Sequence, residues 1–354
     1  MKKWFYKFFL NKKYKDTLNP LKIEKILILR YDRLGDMVVT LPLIKTLKTL
    51  NPNYKIDIVA SRLNNDIIKD NPLIEKIYIY NFRERSRPFH FLKVFKELRA
   101  ERYDLVIDPF YSNISRAGVQ LKMINAKFNI GLSKKERYGL KAEDFKLLYE
   151  TVPFNPTQHL SENILNISTI LGATQKDFKR EEILDYIINY EKNALKFLEL
   201  YKDKKIILFN IQGSAQIRSF NDDFITTLSS KLTQKPKHQV IIMAMPDRRE
   251  NIQNILKKLD NSQIILANTK SILDATALIK YSHIVISPDT SIVHIASSFQ
   301  KKIISFYKEE SMNQAIFAPY TEDYKMFIYN NLFTLTSDDA KSIFKTIIKE
   351  NHLG

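Results

Sequence analysis

The segment Ile26–Pro42, ILILRYDRLGDMVVTLP, constrains this chain more than any other. Ile26–Leu29 is a short apolar run of the kind that forms a parallel strand covered on both faces. The run stops at Arg30-Tyr31-Asp32-Arg33, and Gly35 supplies the backbone freedom for a tight turn. Asp36 follows where a helix N-cap belongs. Met37–Leu50 then carries apolar residues at helical spacing, with lysines late in the run. Strand, turn and helix make half of a βαβ unit. Open α/β sheets bind ligands outside the C-terminal ends of their strands, so Asp36 is expected at a binding edge. Two readings of it stay open at this point: a structural cap, or a carboxylate that meets a ligand.

The same grammar continues. Lys55–Ala60, Ile77–Tyr80 and Leu105–Asp108 read as strands, and Phe89–Arg102 has helical apolar spacing. Leu160–Leu171 reads as a helix stopped by Gly172. Ala173–Lys204 is polar and charged, with Glu182–Ile187 its one strand candidate, and the domain join is expected there. A second α/β series follows. Lys205–Asn210, Gln239–Ala244, Gln263–Leu266, His283–Ser287 and Lys302–Phe306 read as strands. Asn221–Leu232, Arg248–Leu259, Ile292–Phe299 and Asp338–Glu350 read as helices. Strands alternating with helices predict parallel sheets. A chain of 354 residues exceeds a typical single core. The expected division is a basic, aromatic segment over 1–24, one α/β domain over 25–175 and a second over 176–354.

There are no cysteines, which excludes disulfides, cysteine-based zinc sites and a cysteine nucleophile. The net charge of +17 calls for an anionic partner: nucleic acid, a membrane surface or a phosphorylated substrate. Met1–Lys25 interleaves lysines with Trp4, Phe5, Tyr6, Phe8, Phe9 and Leu10. Lys7 interrupts the apolar run, which sets aside a secretory signal. Such a segment suits either an anionic membrane interface or a helix packed on the domain. Arg116–Lys141 holds seven cations against Glu136 and reads as a solvated basic face or as the mouth for an anionic acceptor.

Three further strand ends carry candidate chemistry. In Ile284–Ala296, IVISPDTSIVHIA, a helix start near Thr290 and Ser291 presents amides that favour an anion, with Asp289 just before it. His294, one turn in, can meet the same site or serve only the core. In Asn210–Phe220, NIQGSAQIRSF, Gly213 and Ser214 permit close backbone approach, and Arg218 can face a diphosphate. In Met243–Glu250, MAMPDRRE, Asp247 or Glu250 can accept from ribose hydroxyls. The Walker A, G-x-G-x-x-G, H-E-x-x-H and G-x-S-x-G patterns are missing, and no Asp-x-Asp metal clamp is found near a strand end.

RYDRLGDMVVTLPLIKTLK resembles the N-terminal motif of glycosyltransferase family 9, the lipopolysaccharide heptosyltransferases. SPDTSIVHIASSFQKKIISFY is similar to that family's second motif, a P/N-D-T-G-x-x-H-x-A pattern. The resemblance spans Ile26 to Tyr307. It implies a GT-B fold of two Rossmann-like domains facing across a cleft, the acceptor in the first and the nucleotide sugar in the second. It further implies inverting transfer without metal or cofactor, with Asp36 as general base. Gly213, Ser214, Arg218, Asp247, Asp289, Thr290, Ser291 and His294 become the donor-site candidates. Three departures stand out: Arg218 replaces a usual Lys, Phe220 a usual Trp, and Ser291 the glycine of the D-T-G turn.

The resemblance implies ADP-heptose as donor and an anionic, lipid-linked inner-core saccharide as acceptor. It places the enzyme on the cytoplasmic face of the inner membrane. A relative using another nucleotide sugar or glycan acceptor is the first rival. A nucleic-acid-binding protein, suggested by charge alone, has no supporting motif, so no nucleic acid is expected among the partners.

Overall fold

The computed structural model describes residues 11–80, 88–111, 114–136, 146–181, 183–309, 311–350 and 353. The chain divides into two compact units, Met1–Ile183 and Leu184–Gly354. The division falls inside the polar stretch Ala173–Lys204.

The first unit is built on β1 (Lys25–Arg30), β2 (Lys55–Ala60), β3 (Lys76–Ile79), β4 (Leu105–Asp108), β5 (Phe128–Leu132) and β6 (Glu150–Val152). Their order across the sheet is β3-β2-β1-β4-β5-β6, with every pair parallel. The second unit holds β7 (Lys205–Asn210), β8 (His238–Met243), β9 (Ile264–Leu266), β10 (Ile284–Pro288), β11 (Lys302–Tyr307) and β12 (Tyr324–Ile328). Their order, β12-β11-β10-β7-β8-β9, is the first sheet's order repeated. In each sheet the strand order reverses beside its first strand, between β1 and β4 and again between β7 and β10. Loops leaving two such strands diverge and open a crevice at their C-terminal ends.

Burial on both faces explains why the central strands read as unbroken apolar runs. Ile26–Leu29 and Ile284–Ile286 are sealed from solvent. Each such side chain contributes ~1.5–3 kcal/mol on burial. In the second unit Phe220 stacks on Phe224 at 4.7 Å and meets Phe306 edge-on at 4.9 Å. The aromatic that stands at the usual Trp is therefore a core residue.

Several expectations are corrected. The helix predicted over Met37–Leu50 is two helices, Leu34–Val38 and Leu41–Leu50. Pro42 explains the break: it has no amide to donate to Val38, and its ring crowds that carbonyl. Asp36 lies inside the first of these helices, whose N-cap position is Arg33, so it is not an N-cap. Leu160–Leu171 is α-helical only to Leu165 and finishes as a 3-10 helix, closed by Gly172 at φ 93°. Ile183–Tyr186 form turns and not a strand. The basic run from Arg116 contains the end of a helix, Ile114–Ile124, and all of β5.

Residues Met1–Leu10 lie outside the described residues, and with them most of the aromatic segment. Its continuation packs on the first unit. Tyr14 stacks on Phe128 at 5.9 Å and donates to the Leu147 carbonyl, while Lys12 donates to the Ala126 carbonyl.

Candidate functional site

Each unit places candidate residues at its own reversal point. In the first, Arg30 ends β1 and is only 2% exposed. Its Nε donates to the Asp36 carbonyl at 2.8 Å, its Nη2 lies 3.4 Å from Asp36 Oδ1, and its Nη1 lies 3.4 Å from Asp32 Oδ2. The guanidinium also sits over the Phe110 ring at 5.3 Å. Thr40 Oγ1 donates to the Asp36 carbonyl at 2.8 Å, securing the short helix at the Pro42 break. Asp36 is thus held through both its main chain and its carboxylate, with the side chain 16% exposed.

The loop after β4 completes this edge. Lys134 is buried, its Nζ 3.0 Å from Asp108 Oδ2, and it donates to the Phe110 carbonyl. Burial pushes its ammonium below the usual range, and Asp108 opposes that shift. This corrects the reading of the whole basic run as a solvated face. Tyr111 stacks on Phe154 at 4.2 Å, with Lys135 over its ring at 5.3 Å. Burial and then the Asp36 carboxylate push its phenol upward, which puts Tyr111 within electrostatic reach of Asp36.

In the second unit the loops after β7 and β10 meet. Arg218 Nη1 lies 3.3 Å from Asp289 Oδ2, joining the two stretches that sequence reading had singled out separately. Gly213 makes the approach possible: a Cβ there would stand 2.6 Å from Arg218 Cβ and 2.8 Å from its carbonyl oxygen. Asn210 Nδ2 donates to Ser287 Oγ at 2.9 Å and to Thr290 Oγ1 at 3.3 Å, tying the end of β7 to that of β10. Thr290 caps the helix Ser291–Ser298. Its hydroxyl accepts from Ile292 N and its carbonyl from Val293 N, so two of the amides at this helix start serve local bonds. Ser291 occupies the first helical position. His294 is buried, its ring edge-on to Phe317 at 6.0 Å.

A cavity of about 710 Å³ opens beside this loop, lined by Gln212, Gly213, Ser214, Met245, Asp247 and Arg248 among others. Of the candidates, Gly213, Ser214 and Asp247 line it. Arg218 joins through Gly213, and Asp289 and Thr290 join through Arg218 and Asn210. Arg30, Tyr111, Lys134 and Gln212 were missed by sequence reading. For Arg30 and Tyr111 the signal was available: Arg30 ends β1 and Tyr111 follows β4, both at the sheet's reversal point. Among the described residues no group of acidic or histidine side chains is placed to hold a metal ion.

Two six-stranded parallel sheets of one repeated order, each with polar loops at its reversal point, are the architecture of the GT-B fold class. Solved structures agree. An Escherichia coli heptosyltransferase, WaaC, solved with ADP, superposes with a TM-score of 0.73 at 16% identity, covering 92% of this chain and 99% of that one. A glycosyl transferase family 9 structure from Veillonella parvula gives 0.71 at 16% identity, covering 94% and 99%. In sequence, lipopolysaccharide heptosyltransferase 3 of Escherichia coli K12 is 25% identical over 308 residues, 84% of this chain and 86% of that protein. The model of glycosyltransferase family 9 (heptosyltransferase) matches residues 91–346. The chain belongs to that family and is a glycosyltransferase.

Proposed function

We propose that this enzyme transfers a heptose from ADP-heptose to the inner core of lipopolysaccharide with inversion, and that Asp36 is its general base. The observation that carries this reading is the Arg218–Asp289 pair, which brings the two donor-motif loops together beside the cavity. The relatives supply the substrate classes: one is named for lipopolysaccharide heptosyl transfer, and another was solved with ADP. The family match begins past Asp36, so the role of that residue rests on its placement.

The acceptor hydroxyl oxygen attacks C1 of the heptose while its proton passes to the Asp36 carboxylate. The bond from C1 to the diphosphate oxygen breaks, and ADP departs. Arg30 keeps the carboxylate in place at that moment, since it grips the carbonyl and one carboxylate oxygen of the same residue. Arg218 turns from Asp289 to the diphosphate and offers charge-assisted hydrogen bonds. The Ser291 amide adds the positive end of its helix. These groups supply the charge stabilisation a departing diphosphate needs, which gives a metal ion no required part. Ser214 and Asp247 border the nucleotide. His294, buried one turn into the helix, supports the diphosphate end from behind.

The charge of +17 suits an anionic, lipid-linked acceptor at the cytoplasmic face of the inner membrane. No helix among the described residues is long and apolar enough to cross a membrane.

The test is a donor panel. ADP-heptose, GDP-, UDP- and CMP-sugars are titrated by calorimetry. The ligand that binds is then offered with a heptose-deficient lipopolysaccharide acceptor, in the presence of EDTA. Binding and transfer of ADP-heptose alone support the reading. Preference for another nucleotide sugar overturns the donor, and loss of activity in EDTA overturns metal independence.

A further inference from the structure

Gln212 is buried in the loop just past β7, yet its side chain reaches the exposed turn after β8. Its Oε1 accepts from Met245 N at 2.9 Å, and its Nε2 donates to the two oxygens of Asp247 at 3.3 and 3.5 Å. The orientation is fixed by chemistry. A main-chain N–H can only donate, so the amide oxygen must face Met245, and the NH₂ group is left for Asp247. Asn210 Nδ2 holds the Gln212 carbonyl at 3.1 Å, which anchors the residue's backbone as well. An exposed carboxylate on a short 3-10 turn, Pro246–Arg248, would otherwise spread over several rotamers.

Gln212, Met245 and Asp247 line one cavity, and Gly213 links that cavity to Arg218. Arg248, which also lines the cavity, is engaged by Asp222 and the Phe220 carbonyl, so Asp247 within the cavity and Arg218 beside it set the polarity of a nucleotide lying there. A diphosphate belongs with the cation Arg218 and is repelled by Asp247, while a carboxylate is a good acceptor for two neighbouring hydroxyls.

We infer that Gln212 is a positioning residue that aims Asp247 at the ribose 2′,3′-diol, so that selection of ribonucleotides over 2′-deoxyribonucleotides depends on its amide. The inference rests on the nucleotide reading above and deepens it. A hydrogen bond to a charged acceptor is worth about tenfold or more in affinity.

The test is calorimetric. ADP, GDP, UDP and CMP are titrated into the full chain, and the one that binds is compared with its 2′-deoxy counterpart. Wild type should favour the ribonucleotide about tenfold. Gln212→Glu keeps the shape and the acceptor for Met245 N but turns the donor into a second carboxylate facing Asp247. It should cut the preference to about twofold or less. Asp247→Ala, on an exposed turn that leaves the core untouched, should do the same. A merely structural role for Gln212 would move both affinities together and leave their ratio alone. A wild-type ratio retained in either variant, or no ribose preference in wild type, overturns the inference. Failure of all four nucleotides to bind wild type overturns instead the nucleotide reading on which it stands.

Discussion

At the end of β1 the chain buries an arginine, and after β7 it leaves one half-open. Arg30 is 2% exposed and bonded to the main chain and side chain of Asp36, and paired with Asp32. Arg218, with its side chain 30% exposed, has one ion pair among the described residues, at 3.3 Å to Asp289. The two sheets have the same strand order, so topology does not explain the difference. What differs is the use of the cation. A buried, multiply bonded guanidinium fixes the group beside it. A half-open one with a single anionic partner can exchange that partner for a ligand. On the function proposed above, the first edge holds a carboxylate and the second receives a phosphate.

The largest effect should come from Asp36→Asn. If the first edge exists to present a base, single-turnover transfer should fall ~10²–10⁴-fold, with donor affinity within about twofold of wild type. Turnover within a few-fold of wild type would strip the first edge of its chemistry and break the comparison.

Next comes Arg30→Met, read against Arg218→Ala by urea denaturation. Removing Arg30 leaves Asp32 and Asp36 without the buried cation between them, a loss of about 3 kcal/mol. Removing Arg218 gives up only a partly exposed pair, about 1 kcal/mol or less. Equal losses would mean that exposure does not separate the two roles. The same Arg218→Ala protein should bind donor about tenfold more weakly by calorimetry, because a charge-assisted contact to the diphosphate disappears. An unchanged donor affinity would remove Arg218 from the site.

The smallest effect concerns pH. At the other end of the first sheet, Glu101 accepts from Lys25, Lys76 and Tyr78 and is held down to about 2. Its folded value lies below the unfolded one. Its stabilising contribution is therefore complete above about 4.3 and is lost as pH falls toward 2. Glu101→Gln should flatten the melting temperature across that window. An unchanged acid profile would show that the three donors contribute nothing there.

The alternation of buried strands and amphipathic helices was legible because strand segments such as Ile26–Leu29 and Ile206–Phe209 are apolar on both faces. β5, β6 and β12 were not. Phe128–Leu132 carries Asn129 and Gly131 inside a basic stretch, Glu150–Val152 has three residues, and Tyr324–Ile328 is a partly exposed edge. The break after Val38 was written in Pro42 and was overlooked because the apolar spacing runs on through it. Within the site, motif residues such as Gly213 and Asp289 stood out by their place after strands. Gln212 and Lys134 did not, because their meaning lies in partners distant along the chain. An amide whose acceptor is fixed by Met245 N, or an ammonium buried against Asp108, looks in sequence like any polar surface residue.

The division of labour between the two edges is tested most directly by hydrogen–deuterium exchange on the full chain with saturating ADP. Peptides covering 210–220, 245–250 and 287–294 should gain protection, while Arg30–Val38 should exchange as in the free protein. Protection centred on Arg30–Val38, with none after β7, β8 or β10, would place the nucleotide on the first unit and contradict the account.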